Sequence, residues 1–210
     1  MMKDPENIYG IVKFLKGATG LPVSVKFRLG WDENSINYIE YADACASAGA
    51  DQLTLHARTR AQGYSGTARE EGFLKLKDFF RGKEDAPLLY ASGDVLTPEA
   101  AVHYMDDLGM DGVMFARGAI GNPFIIRQTK ELMEKGSYSE TTVEEKVETA
   151  LRHMELAVHY YGEYSAAREM RKQIMAYVKG LRGSKEVKER VSKAVTLEEY
   201  RAILMSLLDA

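Results

Sequence analysis

From Val23 to Arg28 apolar and polar residues alternate strictly, with Val23, Val25 and Phe27 on one side of an extended chain and Ser24, Lys26 and Arg28 on the other. The pattern predicts a strand that carries two cations on one face. Three more short β-rich runs follow the first, PVSVKFR (22–28): DQLTLHA (51–57), PLLYAS (87–92) and DGVMFA (111–116). Helical periodicity fills the gaps, over Ser35–Gly49, Glu70–Phe80 and Pro98–Leu108, each stretch ending near a glycine. Strand and helix in regular alternation predict right-handed βαβ crossovers and a parallel sheet.

Ahead of the first strand, Asp4–Ala18 reads as an amphipathic helix with Asp4 as N-cap, Pro5 in the first turn and Ile8, Ile11, Val12 and Leu15 on one face. Beyond Pro123 only helical patterns remain: Thr141–Tyr160, Ser165–Leu181, Ser184–Ala194 and Thr196–Leu208. The Gly-Ser turn in KGSYS marks a boundary, which divides the chain into an α/β part, 1–136, and a helical part, 137–210.

Composition adds little and charge adds more. At 210 residues, 45% hydrophobic and 28% charged, the chain is an ordinary globular one with room for one good core and an appendage. Its net charge is −3, yet Ser165–Val195 holds nine Lys/Arg against three Asp/Glu, so a basic segment sits on an acidic body. A single cysteine, Cys45, excludes a disulfide framework and a cysteine-based zinc site and fits a reducing compartment. No run approaches the ~18 apolar residues of a membrane span. MMKDPENIYG lacks the regions of a signal peptide, so the expected location is cytoplasmic.

In parallel α/β folds, ligands sit at the C-terminal ends of the strands. Here each strand ends in a polar cluster: Lys26 and Arg28; His56 and Arg58; Ser92-Gly93-Asp94; Arg117-Gly118. The last two precede helices with Thr97-Pro98 and Asn122-Pro123 at their starts, and a glycine turn ahead of a helix suits a phosphate. Lys26 would be costly at such a mouth without an anion or acceptor to meet. Two readings of Arg28 stand side by side, contact with the same ligand or pairing with a carboxylate. Tyr64, in the loop after the second strand, either packs under that loop or touches a substrate.

The strings VKFRLGWDENS, LHARTRAQGYSGTA, ASGDVLTPEAA, GVMFARGAIGNPF and AAREMRKQIMAYVKGLRG, in this order, resemble the C-terminal two thirds of bacterial tRNA-dihydrouridine synthases, nearest the type B or nitrogen-regulation-like branch. The resemblance runs from Met1 to about Met205. It implies the C-terminal half of a (βα)8 TIM barrel with four parallel strands, followed by an all-α domain that grips tRNA. It also implies FMN as cofactor and NADPH as reductant, for reduction of a uridine C5=C6 bond. By motif, Lys26 would contact the flavin ring and His56 would line its pocket. Ser92, Gly93 and Asp94 would form the third cluster, and Ala116 and Arg117 would hold the FMN phosphate. Ser92 and Ala116 stand where the family usually has Asn and Gly.

The family's Asn-x-Gly-Cys-Pro string, with its proton-donating cysteine, does not occur here, so no catalytic residue is assigned and the chain reads as a fragment without turnover. Cys45, in YADACASAGA, reads as a small core residue. The tRNA contacts implied are Arg168, Arg171, Lys172, Lys179 and Arg182, a cationic side of the Ser165–Leu181 helix. The alternative is a non-catalytic RNA-binding remnant. A half barrel would also leave its first and last strands as open edges, which predicts self-association.

Overall fold

The computed structural model describes residues 4–209. The chain divides into two compact units, one running to Gly118 and the other beginning at Ala119.

The first unit runs α1 (Pro5–Thr19), β1 (Ser24–Arg28), α2 (Tyr38–Ser47), β2 (Gln52–His56), α3 (Glu70–Phe80), β3 (Leu88–Ser92), α4 (Pro98–Val102) and β4 (Gly112–Met114). All three strand pairs are parallel and the order in space is β1-β2-β3-β4, so β1 and β4 are the edges. Asp4 caps α1 through the Asn7 N–H at 3.0 Å, and Thr97 caps α4 through that of Ala100. The alternation read from the sequence becomes the two faces of this sheet. Phe27, Leu53, Leu55, Leu89 and Ala91 join Ile8, Val12, Tyr41, Cys45, Phe73 and Leu76 from the helices in one core. In register on the other face lie Lys26, Thr54, Tyr90 and Gly112, then Arg28, His56, Ser92 and Met114. The sheet is therefore parallel, with a helix-covered apolar face and a polar one, and the cations of β1 belong to the polar face.

Register is pinned by two like devices. Asp51, just before β2, donates its N–H to the Val23 carbonyl and takes the Val23 N–H on its carboxylate at 2.6 Å, while Lys16 of α1 holds the carboxylate at 2.9 Å. Asp111, just before β4, does the same to Leu89, at 2.7 Å on the carboxylate, with Lys77 of α3 as its cation. A slip of one residue would send every core side chain to the other face, so each clamp protects an entire pattern.

Two helices of this unit depart from the sequence reading. The stretch expected as helix from Ser35 begins regular α structure only at Tyr38, because Asp32 caps a short 3-10 turn, Glu33–Ser35, and Gly30 bridges to Ile36. Pro98–Leu108 is regular only to Val102 and then widens into π-type turns through Asp107, where the His103 ring is held by Asp107 at 2.7 Å and Glu70 at 3.2 Å.

The second unit is helical: α5 (Ile125–Lys135), α6 (Val143–Tyr161), α7 (Glu163–Tyr177), α8 (Ser184–Lys193) and α9 (Leu197–Met205). Thr142 with Glu145 and Thr196 with Glu199 form reciprocal capping boxes at the starts of α6 and α9. Met154, Ala166, Met170, Ile174, Val191 and Leu204 make its core, and the buried Tyr200 hydroxyl donates to the Ala167 carbonyl at 2.6 Å. Among the described residues no helix is long and apolar enough to cross a membrane.

Candidate functional site

The polar sheet face ends in a cavity of about 110 Å³ lined by Lys26, Arg28, His56, Tyr64, Ser92, Gly93, Asp94, Ala116 and Arg117, among others. All seven residues expected to hold a cofactor, Lys26, His56, Ser92, Gly93, Asp94, Ala116 and Arg117, are brought together there. β1 and β2 present Lys26 and His56 from adjacent strands, the end of β3 presents Ser92-Gly93-Asp94, and the turn after β4 presents Ala116 and Arg117.

The anchor beneath the cavity is Arg58, only 1% exposed, whose role the sequence did not reveal. Its guanidinium donates to the Ser65 and Gly66 carbonyls at 3.2 and 2.7 Å and to the Asp94 carboxylate at 2.6 Å. Asp94 in turn accepts from the Ala68 N–H at 2.8 Å and from Arg117 at 3.0 Å. Burial alone would raise the Asp94 carboxyl, but Arg58, the Ala68 N–H and Arg117 together hold it below the usual carboxylate range. One carboxylate thus fixes a buried guanidinium on one side and an exposed one on the other.

Tyr64 lies at the rim. It is 64% exposed, and its ring is 4.5 Å from the Arg117 guanidinium, a cation–π contact that restrains Arg117 a second time. Arg28 pairs with no carboxylate among the described residues; it lines the cavity and donates to the Thr59 and Gly63 carbonyls at 2.9 and 3.1 Å, and so ties the loop after β2 to the end of β1. A loop carbonyl leaves no signal in the sequence.

His56 is buried, and loss of water, with Arg28, Lys26 and Arg58 nearby, pushes its pKa down to about 4. The ring is neutral at ordinary pH. Its Nε2 is 3.4 Å from Arg58 Nη1, and an arginine only donates, so the ring proton is assigned to Nδ1. Lys26 is exposed overall, yet its surroundings hold its pKa below the usual lysine value, first through desolvation and then through Arg28. No hydrogen bond or ion pair to Lys26 occurs among the described residues.

Gly93 makes the floor of the cradle. Its φ is +99°, and a Cβ there would sit 2.5 Å from the His56 ring. Gly121, in the turn also expected to approach a phosphate, serves a different purpose: a Cβ there would lie 2.4 Å from the backbone of Ala176 in α7, so this glycine permits packing within the helical unit.

A flavin mononucleotide tests this donor set. Three cations, Lys26, Arg28 and Arg117, a neutral imidazole and a cradle that any side chain would fill suit an anionic, flat ligand, and the residues fit. The cavity itself has room for a phosphate or a ring edge rather than the whole molecule.

On α7 the cations differ among themselves. Lys172 on the helix, and Lys179 and Arg182 in the turns beyond its end at Tyr177, which falls short of the expected Leu181, are exposed and unpaired among the described residues, and Arg168 lies on the ring of Tyr164. Arg171 turns inward, donating to the Ala194 carbonyl at 3.2 Å with its Nε buried, so its charge serves helix packing. Cys45 is fully buried in α2 and its thiol is pushed up to about 12 by desolvation, as a core residue's should be.

The family model for dihydrouridine synthase matches residues 1–210. A probable tRNA-dihydrouridine synthase of Treponema pallidum is 38% identical over 209 residues, 97% of this chain and 61% of that protein. Probable tRNA-dihydrouridine synthase 1 of Synechocystis is 35% identical, over 97% of this chain and 56% of its own length. A tRNA-dihydrouridine synthase B of Pseudomonas syringae pv. tomato is 30% identical, over 89% and 54%. The chain spans between about half and three fifths of these relatives. With a parallel sheet whose polar face ends in this cavity, and with every residue covered by the family model, the chain belongs to the dihydrouridine synthase family.

Proposed function

We propose that this chain supplies the flavin-binding mouth and the RNA-binding surface of an FMN-dependent, NADPH-driven reductase of uridine in tRNA. The observation that carries the reading is the convergence of Lys26, His56, Gly93 and Arg117 on one cavity at the C-terminal ends of the strands. When bound, the flavin supplies the hydride for a uridine C5=C6 bond. Lys26 offers an ammonium to the electron-rich edge of the ring, and such an acceptor would offset the desolvation and the Arg28 charge that lower its pKa. Neutral His56 lines the pocket without adding a cation. Arg117, oriented by Asp94 and Tyr64, holds the phosphate together with the backbone at Ala116. Arg168, Lys172, Lys179 and Arg182 follow the RNA backbone. In functional terms 1–136 is the cofactor part and 137–210 the tRNA part.

One observation favours a second reading of these 210 residues taken alone, flavin and RNA binding without turnover. Protonation of C5 needs an acid at the mouth, and Cys45 is buried in α2. Incubating the chain with FMN, NADPH and unmodified tRNA tests both readings. Retained flavin and bound tRNA with no dihydrouridine is the expected outcome. A colourless protein after FMN loading defeats both readings, and robust dihydrouridine defeats the second. The open edges β1 and β4, with Phe14 of α1 72% exposed, support self-association of the chain, which concentration-dependent sedimentation would register.

A further inference from the structure

At the corner between α6 and α7 the chain turns through Gly162, and three tyrosines in five residues stand in solvent: Tyr160, Tyr161 and Tyr164, at 72, 71 and 74% exposure. Large aromatic side chains dominate cores and interfaces, and a cluster so exposed on one corner marks a surface that something covers. These rings are also restrained. The His159 ring meets Tyr160 edge-on at 4.8 Å, and the Tyr164 hydroxyl accepts from Arg168 at 2.7 Å while the guanidinium lies 5.4 Å from the ring centre.

The charges around the corner identify the covering partner. Tyr164, Arg168 and Lys172 recur every four residues on one stripe of α7, and Arg152, Leu156 and Tyr160 do so on α6. Two of the neighbouring carboxylates are engaged elsewhere, Glu155 with Arg201 at 2.5 Å and Glu163 with the Leu197 N–H at 2.8 Å, while Glu169 stays exposed next to Arg168. Aromatic faces beside cations that no carboxylate neutralises among the described residues suit a ligand that alternates flat π-surfaces with negative charge.

We propose that the tyrosine corner is a base-stacking site for unpaired nucleotides of an RNA, with Arg168 and Lys172 taking the adjoining phosphates. The inference rests on the tRNA reading above and gives its helical surface a mode of recognition: the cations of α7 bind any phosphate backbone, whereas the tyrosines select strands whose bases are free to stack. Loops and unpaired ends would bind and continuous duplex would not.

The test uses the full 210-residue chain with an unmodified tRNA transcript and a blunt RNA duplex. Replacing Tyr160, Tyr161 and Tyr164 together by Ala is expected to weaken tRNA binding about 10- to 100-fold. Duplex affinity and the salt dependence of binding should stay as in the parent, because the phosphate contacts remain. Tyr160→Phe and Tyr161→Phe should bind as the parent does, and Tyr161→Trp in a Trp31→Phe background should lose fluorescence on adding tRNA. If the parent binds tRNA and the triple variant binds it equally well, the stacking site is refuted and the tRNA reading stands. A parent chain that binds no tRNA overturns both. A triple variant whose own sedimentation changes while its tRNA affinity does not would make the corner a contact between protein copies and overturn the proposal.

Discussion

The mouth of the sheet and the surface of α7 are both cationic, and they treat charge in opposite ways. At the mouth, Arg58, Arg28 and Arg117 are each fixed by a carboxylate or by carbonyls, so position is set before any ligand arrives. On α7 and in the turns that follow it, Lys172, Lys179 and Arg182 end in water with no partner among the described residues. A preorganised site costs stability wherever it is disturbed, whereas a solvated one costs nothing to change and acts at longer range.

The contrast breaks most sharply at Arg58. Arg58→Met should destabilise the chain by about 3 kcal/mol in urea unfolding, the low end for a broken buried pair because Asp94 keeps a quarter of its side chain in water. Arg58→Lys should not restore it, since one ammonium cannot serve the Ser65 and Gly66 carbonyls and Asp94 in the same planar fork.

His56 gives the next effect, read against pH. Its imidazole is neutral in the fold down to about 4, while the unfolded chain takes the proton near 6.5. The unfolded state therefore binds more protons between these values. The stabilisation is whole above about 6.5 and is lost as pH falls toward 4, by up to about 3 kcal/mol. His56→Gln should flatten that part of the stability profile.

Gly93→Ala combines a left-handed backbone with a clash against the His56 ring and should cost about 2 kcal/mol, with loss of FMN retention measured by absorbance after gel filtration. At the other extreme, Lys172→Gln and Lys179→Gln should leave stability within about 0.5 kcal/mol and each lower the salt slope of tRNA binding by about 1. An unfolding effect from these lysines as large as that of Arg58 would erase the distinction between the two regions.

What could be read from the sequence follows the same division. The period of two in PVSVKFR and the caps at Asp4 and Thr97 are local signals, and the elements form where they predict. The polar strand ends predicted clusters converging at one end of the sheet, and they line a common cavity there. Pairings across the fold were not legible. Asp94 lies 36 residues from Arg58, and nothing near either names the other. Arg171 differs from Lys172 only in pointing toward Ala194, a matter of how α7 and α8 pack. The π-type turns after Val102 likewise have no local signature; Pro98 and Thr97 announce a start but no change of pitch.

The paired Asp51 and Asp111 clamps have one further consequence, for how such a sheet can grow or be rebuilt. Each joins a cation of the helix ahead of one strand, the backbone at the start of that strand and the residue just before the next strand, so the alignment of β1 with β2 and of β3 with β4 is decided locally, pair by pair. A chain built this way can gain, lose or exchange a segment at the loops between clamps, and the newcomer carries its own ruler.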